Sequence, residues 1–416
     1  MLGNLITYRI FSTSIFHLLF FGGFMSFDSK SLIGLVLTDA RVPTPSFVLE
    51  KKKLLKNIER AKERAKELGV TFRPHLKTHK SIAIARLQML SPEGPATVST
   101  LAEARYFAEN GVKDIIYAVG IAPQKLPEVV AIRNLGCDLK IILDSAEAAR
   151  LVSTFCKENK VTIPVLLEID VDGHRSGLLP DSPEIVTTAS ALTDGATLAG
   201  ILTHAGDSYE CKTQEAIVAA AEAERAGIVK AAKTLRDAGF KVGIVSVGSS
   251  PTLMRSKSEV GVTEIRAGVC AFFDLFMSNV GICTIDDIAG SILTTVIGRK
   301  TEMHRVITDS GFLAMSRDRG TQRQKKDYGY GLVCDVEGAP LDGGKILLTG
   351  TNQEHGIITL PENATLTQKD FPIGKRLRIL PNHACPTAAP YAHLLIVDDG
   401  VIVDVIDHVR GWEGLE

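Results

Sequence analysis

Between residues 71 and 270 the chain repeats one pattern, a short apolar run followed by a longer amphipathic stretch. The runs are Thr71–Lys77, Ala96–Ser99, Asp114–Val119, Lys140–Asp144, Ile163–Asp170, Leu198–His204, Val242–Gly248 and Glu264–Cys270. Such alternation predicts parallel strands joined by crossover helices. The intervening stretches Leu54–Leu68, Leu101–Glu109, Ala146–Glu158 and Thr213–Ala238 have helix-forming composition, and Asn110-Gly111 and Ala238-Gly239 are natural stops. Eight evenly spaced βα units predict a closed (β/α)8 barrel of TIM type, in preference to an open doubly wound sheet.

After Asp274 the runs shorten and turn signals multiply, as in Ile292–Ile297, Arg305–Thr308, Lys345–Leu348, Gly356–Leu360, Lys375–Leu380, His393–Val397 and Val401–Val405. This predicts a C-terminal all-β domain. The expected division is a leader or extension at 1–26, a segment at 27–48 that joins the β domain, the barrel at 49–275 and the β domain at 276–416. No Pro-rich or Ser-rich linker marks the join, so the two domains are expected to pack firmly.

With 47 basic and 48 acidic residues and a net charge of -1, the chain lacks the electrostatic footprint of a nucleic-acid binder. A small neutral or zwitterionic partner fits better. The seven cysteines are scattered without a C-x-x-C pair, which argues against a disulfide framework and for a reducing, cytoplasmic setting. The apolar stretch Ile10–Phe24 is short for a membrane span and is interrupted by Ser12-Thr13-Ser14. A targeting peptide, a weak anchor and an optional leader before Met25-Ser26 are all open readings, and stable membrane insertion is not expected.

In a barrel of this type, reactive groups lie at the C-terminal ends of the strands. Lys77 falls there, within Arg73-Pro74-His75-Leu76-Lys77-Thr78-His79-Lys80-Ser81. In an extended strand Arg73, His75, Lys77 and His79 would share one face. A lysine crowded in that way tends to lose its proton and attack a carbonyl. The plainer alternative is a solvated basic edge.

Asp172-Gly173-His174-Arg175-Ser176-Gly177 follows the fifth run, His204-Ala205-Gly206 ends the sixth, and Gly248-Ser249-Ser250-Pro251-Thr252 follows the seventh. Small residues with free amides and hydroxyls suit an anion such as phosphate. A phosphorylated aldehyde, pyridoxal 5'-phosphate, would account for the set. Lys77 would form the Schiff base, Gly248, Ser249 and Ser250 would hold the phosphate, and His204 would stack on the ring. Arg175 would meet the ring hydroxyl and Arg266 the ring nitrogen, unless Arg266 pairs with Glu264 instead. Late in the β domain, His383 and Cys385 would share a face if extended, and imidazole with thiolate favours zinc. A pair of ligands would leave positions open for water or substrate; the plainer alternative is a buried cysteine beside a surface histidine.

The segments Thr44-Pro45-Ser46-Phe47-Val48-Leu49, RPHLKTHK at 73–80, DGHRSG at 172–177, THAG at 203–206 with Tyr209, GSSPT at 248–252 and EIRAG at 264–268 resemble the alanine-racemase-like, fold-type III family of pyridoxal phosphate enzymes. Within it they resemble the D-serine dehydratase and D-threonine aldolase branch, over nearly all of residues 40–415. RPHLKTHK and the later His383-Ala384-Cys385 are the specific part. The resemblance implies that Lys77 carries the cofactor, that Tyr209 and Gly248–Ser250 touch it, and that His383 and Cys385 hold Zn2+. It also implies a homodimer whose β domain completes the site. The implied reaction is loss of water from D-serine to give pyruvate and ammonia, with D-threonine as a second substrate. Zinc on the β-oxygen would ease departure of a poor leaving group. Retro-aldol cleavage of β-hydroxy-D-amino acids is the alternative, although that branch tends to carry aspartate where this chain has Cys385. A non-catalytic cofactor carrier would resemble the barrel alone. Cys270, where the family suggests tyrosine, and Val119-Gly120-Ile121-Ala122, where it suggests a Pro-rich turn, bear on substrate preference.

Overall fold

The structure, a computed structural model, describes residues 28–173 and 175–413, so the expected leader at 1–26 lies outside the described residues. Strand β1 (Ser46–Glu50) runs into helix α1 (Lys51–Glu67). Eight strands follow: β2 (Thr71–Pro74), β3 (Ala96–Val98), β4 (Asp114–Gly120), β5 (Asp138–Leu143), β6 (Ile163–Ile169), β7 (Ala196–Thr203), β8 (Ile244–Val247) and β9 (Glu264–Ala267). Each lies in one of the predicted runs, within a few residues. They pair in parallel in the spatial order β2-β9-β8-β7-β6-β5-β4-β3, and one isolated bridge between His75 and Thr97 brings the ends together. The result is a nearly closed barrel of TIM type. Between the strands lie α2 (Ile82–Gln88), α3 (Leu101–Glu109), α4 (Leu126–Arg133), α5 (Ala146–Asn159), α6 (Glu184–Ser190), α7 (Gln214–Asp237) and α8 (Ser250–Arg255). Thr100, Ser145 and Thr213 start α3, α5 and α7 by accepting an otherwise orphaned first-turn amide.

Strand alternation sorts the barrel interior into layers. Near the N-terminal ends of the strands, Arg73 is 3% exposed and pairs with Glu264 at 2.8 Å and Asp114 at 2.9 Å, while Lys140 reaches Asp114 at 2.8 Å. Burial alone would raise the Asp114 carboxyl, but Arg73 and Lys140 outweigh it and hold the group below its ordinary value. Above this charged floor sit Ile116, Ile142, Leu166 and Leu202, a small apolar cluster. The C-terminal ends of the strands remain for a cavity.

The remaining strands are β10 (Gly290–Lys300), β11 (Arg305–Thr308), β12 (Leu332–Cys334), β13 (Leu348–Thr351), β14 (Gly356–Thr359), β15 (Arg376–Leu380), β16 (His393–Asp398) and β17 (Val401–Asp407). With β1 they build a nine-stranded sheet ordered β13-β14-β11-β10-β1-β16-β17, with β15 on β10 and β12 on β15. The sheet is mixed, because β1 runs antiparallel to β10 and parallel to β16. The expected Lys345–Leu348 strand forms in part: Leu347 makes an isolated antiparallel bridge to Leu332, and a continuous strand starts at Leu348, after the 3-10 turn Leu341–Gly344. Among the described residues, no helix is long and apolar enough to cross a membrane.

Candidate active site

A cavity of about 290 Å3 opens at the C-terminal ends of the barrel strands, roofed by the β domain. Lys77, Arg175, His204, Tyr209, Gly248, Ser249, Ser250 and Arg266 line it from the barrel, and His383 and Cys385 line it from the β domain. Lys77 and Cys385, 308 positions apart in sequence, thus face one space.

The first strand ends earlier than its sequence suggests. β2 stops at Pro74, and Leu76–Thr78 make one turn of 3-10 helix, held by the Lys80 amide donating to the Leu76 carbonyl at 2.8 Å. Side chains therefore do not alternate through Lys77. Its exposed side chain reaches the cavity, while the next residue, Thr78, places Oγ1 3.2 Å from Cys385 Sγ. Of the two histidines expected beside Lys77, His75 lines the cavity and His79 does not. The His79 ring is buried; Nδ1 accepts from the Ser81 amide and Nε2 donates to Gln88 Oε1 at 2.6 Å. Burial lowers His79 to about 4. It also drives His75 well below its ordinary value, with Lys77 and Arg266 adding to the effect. The crowd around Lys77 is accordingly less cationic than the sequence suggests, and Arg73 is used up in the barrel floor.

The loop after β8 is built by buried hydrogen bonds. Gly248 has φ +137°, and a Cβ there would sit 2.0 Å from the Arg266 carbonyl oxygen, so only glycine fits. Its amide is not free for an anion, contrary to the expectation from sequence: it donates to Glu224 Oε1 at 2.9 Å, and the same oxygen takes the Ala205 amide at 3.1 Å. Glu224 thereby ties the loop after β7 to the loop after β8. The Ser249 amide donates to Thr252 Oγ1 at 3.0 Å. What the loop offers is hydroxyl: Ser250 Oγ accepts from the Cys270 amide at 3.2 Å, which leaves its own proton to donate. Tyr209 lies against the Ser250 amide, and burial raises its phenol so that it stays a donor.

His204 Nδ1 lies 2.9 Å from the Gly248 carbonyl, so Nδ1 carries the hydrogen and Nε2 is an acceptor. Burial brings this imidazole down to about 3, a neutral flat ring 5.9 Å from the Tyr209 ring centroid. Arg266 is 5% exposed; it donates to Ser246 Oγ at 2.8 Å and to the Thr203 carbonyl. Among the described residues it makes no ion pair, because Glu264 belongs to Arg73. The alternative of an Arg266–Glu264 bridge is thereby removed. Arg175 is 59% exposed at its side chain, with Glu168 at 3.3 Å. A flat phosphorylated pyridine suits this donor set of hydroxyls, a guanidinium without an ion pair among the described residues, and a neutral ring.

His383 and Cys385 are brought together by a turn, not by an extended segment, since His383 caps the short helix Ala384–Ala388. The two side chains line the same cavity. His383 Nδ1 donates to Asp318 Oδ2 at 2.7 Å. Burial disfavours the imidazolium, but Asp318 and Cys385 outweigh it and push His383 up to about 11; burial would raise the Cys385 thiol, yet His383 and Lys77 hold it low. Asp274, 1% exposed, accepts from the amides of Met277 and Ala384, each at 2.9 Å, and so pins the His383 turn to the end of the barrel. Among the described residues no group of three or more His, Cys, Asp or Glu is arranged around one ion position. The side chains present still suit zinc as an open pair, with Asp318 set to orient the imidazole and Thr78 to meet the sulfur. Asp318, Asp274 and Glu224 were not among the residues singled out from sequence.

Comparison with known proteins gives concordant results. The family described as alanine racemase, N-terminal domain, matches residues 49–275, and a serine dehydratase domain matches residues 289–397. The chain is 47% identical to the D-threo-3-hydroxyaspartate dehydratase of Delftia sp. strain HT23, over 89% of this chain and 98% of that protein. It is 29% identical to the D-serine dehydratase of Dictyostelium discoideum, over 89% and 97% of the two chains. A solved structure of a D-threo-3-hydroxyaspartate dehydratase mutant in the metal-free form superposes with a TM-score of 0.87 at 45% identity, covering 91% of this chain and 100% of that one.

Proposed function

The chain belongs to the alanine racemase N-terminal domain family, in its fold-type III pyridoxal phosphate branch of dehydratases and aldolases, and on that basis we propose that it is a lyase that removes water from β-hydroxy-D-amino acids. The observation that carries the reading is the meeting of Lys77 with His383 and Cys385 across one cavity. Similarity to the Delftia enzyme supports D-threo-3-hydroxyaspartate as a substrate and similarity to the Dictyostelium enzyme supports D-serine, with D-threonine as a further candidate.

Pyridoxal phosphate, when bound, supplies an aldehyde for an amine and an electron sink for negative charge at the substrate Cα. Lys77 is the residue that carries it, and its Nζ, once released, takes the α-proton. The Ser250 hydroxyl and Tyr209 hold the phosphate, with Ser249 and Gly248 fixing the shape of that loop. His204 presents its neutral face to the ring. Arg266 would serve the ring nitrogen, and Arg175 would serve the ring hydroxyl. His383 and Cys385 would hold zinc, which would supply Lewis-acid chemistry for departure of a poor leaving group. Loss of water from D-serine leads, after hydrolysis of the enamine, to pyruvate and ammonia; D-threo-3-hydroxyaspartate leads to oxaloacetate and ammonia.

The test is a product assay with D-threo-3-hydroxyaspartate, D-serine and D-threonine side by side. Oxo acid with stoichiometric ammonia is expected. Glycine with an aldehyde would replace elimination by retro-aldol cleavage, and no turnover with cofactor bound would make the chain a carrier.

A further inference from the structure

His383 and Cys385 are each hydrogen-bonded by a neighbouring side chain. On the imidazole side, the Asp318 carboxylate is itself fixed: Oδ1 accepts from the Gly320 amide at 2.7 Å, its carbonyl accepts from Asn382 Nδ2 at 3.0 Å, and Oδ2 takes the His383 Nδ1 hydrogen at 2.7 Å. With Nδ1 committed to Asp318, Nε2 is the only ring nitrogen left to face an ion. On the sulfur side, Thr78 Oγ1 lies 3.2 Å from Cys385 Sγ. Cys385 is half-buried, and the Thr78 hydroxyl is the side chain hydrogen-bonded to its sulfur.

We propose that Asp318 and Thr78 are positioning residues for the metal pair, Asp318 setting the tautomer and direction of His383 and Thr78 setting the donor strength of Cys385. This rests on the reading of His383 and Cys385 as ligands. The pair has only two protein ligands, so each must be held more firmly than in a closed site, where four ligands brace one another. Thr78 also follows Lys77 directly in the Leu76–Thr78 turn. The sulfur of the metal pair and the amine that carries the cofactor are therefore referenced to successive residues of one rigid turn. That arrangement fixes the distance between the two reactive centres without any residue spanning the cavity.

The experiment is a titration of the metal-stripped protein, with pyridoxal phosphate retained, using Co2+ as the probe. The sulfur-to-cobalt charge-transfer band and the ligand-field bands are recorded, and Zn2+ affinity is obtained by competition. Asp318→Asn is expected to weaken binding by about 10- to 100-fold, the range seen when an outer partner of a metal-bound histidine is lost. Thr78→Val is expected to shift the charge-transfer band to lower energy, because the sulfur loses its hydrogen bond, and Thr78→Ser is expected to restore it. His383→Ala and Cys385→Ala serve as controls that should abolish the band. If the controls abolish it while Asp318→Asn keeps wild-type affinity and Thr78→Val keeps the wild-type band, the inference is wrong and the ligand reading stands. If the controls bind Co2+ as wild type does, or wild type binds none, the ligand reading fails and the inference falls with it. The cofactor absorbance and melting temperature of each variant separate these outcomes from misfolding.

Discussion

At the scale of single residues, Lys77 owes its position to what surrounds it and not to a strand. Pro74 ends β2 and His79 turns inward to Gln88, so Lys77 rides on a tight turn. We expect Lys77→Ala to lose the absorbance band near the visible edge that marks a lysine-bound cofactor, while the fold persists because the side chain is exposed. An unchanged band in that variant would point to another lysine, with Lys80 the nearest candidate; Lys80 is already paired with Glu103 at 3.1 Å. His75 and His204 are uncharged around neutral pH, because burial holds both well below the ordinary imidazole value. The fixed positive charge that the barrel turns toward a phosphate or a carboxylate in this cavity therefore comes from Arg175 and Arg266, which do not titrate in that range.

At the scale of elements, the loop from β8 into α8 is the most tightly specified piece of the site. Gly248→Ala is expected to cost about 1–3 kcal/mol or more, because the added methyl meets the β9 backbone, and to release cofactor more readily. Thermal melting and cofactor dissociation rates measure both effects; a wild-type melting point with full cofactor retention would overturn that assignment. Much of this was legible in sequence. The eight strands show in their spacing, and the small residues after β8 show in their composition. Glu224 was legible too, and was passed over: Ile217, Ala221, Glu224, Ile228 and Ala231 form one buried stripe of α7, and a carboxylate inside an apolar stripe has to meet buried donors. Asp318 carried no comparable signal, since it lies in an irregular, basic segment and its partner is 65 residues away. β1 and β12 were hard to place for a related reason. Both are short, and each is defined by strands distant in sequence.

At the scale of the whole molecule, the barrel supplies the residues proposed for the cofactor and the β domain supplies His383 and Cys385, proposed for the metal, with Asp274 and Thr78 stitching the two together. Chelation is accordingly expected to stop elimination while leaving the cofactor band intact, and added Zn2+ to restore turnover. Full activity in metal-free protein would remove zinc from the mechanism. The same division has a consequence for how the chain is made. Strand β1 is synthesised first, yet Phe47 pairs with Ile292 on one side and Leu394 on the other. At ribosomal rates of roughly 5–20 residues per second, the apolar Phe47-Val48-Leu49 segment waits on the order of tens of seconds for its neighbours, while the barrel behind it can already fold. A nascent chain of this kind carries an unpaired strand through most of its synthesis. It is during translation, more than in the finished enzyme, that chaperone protection bears on its yield.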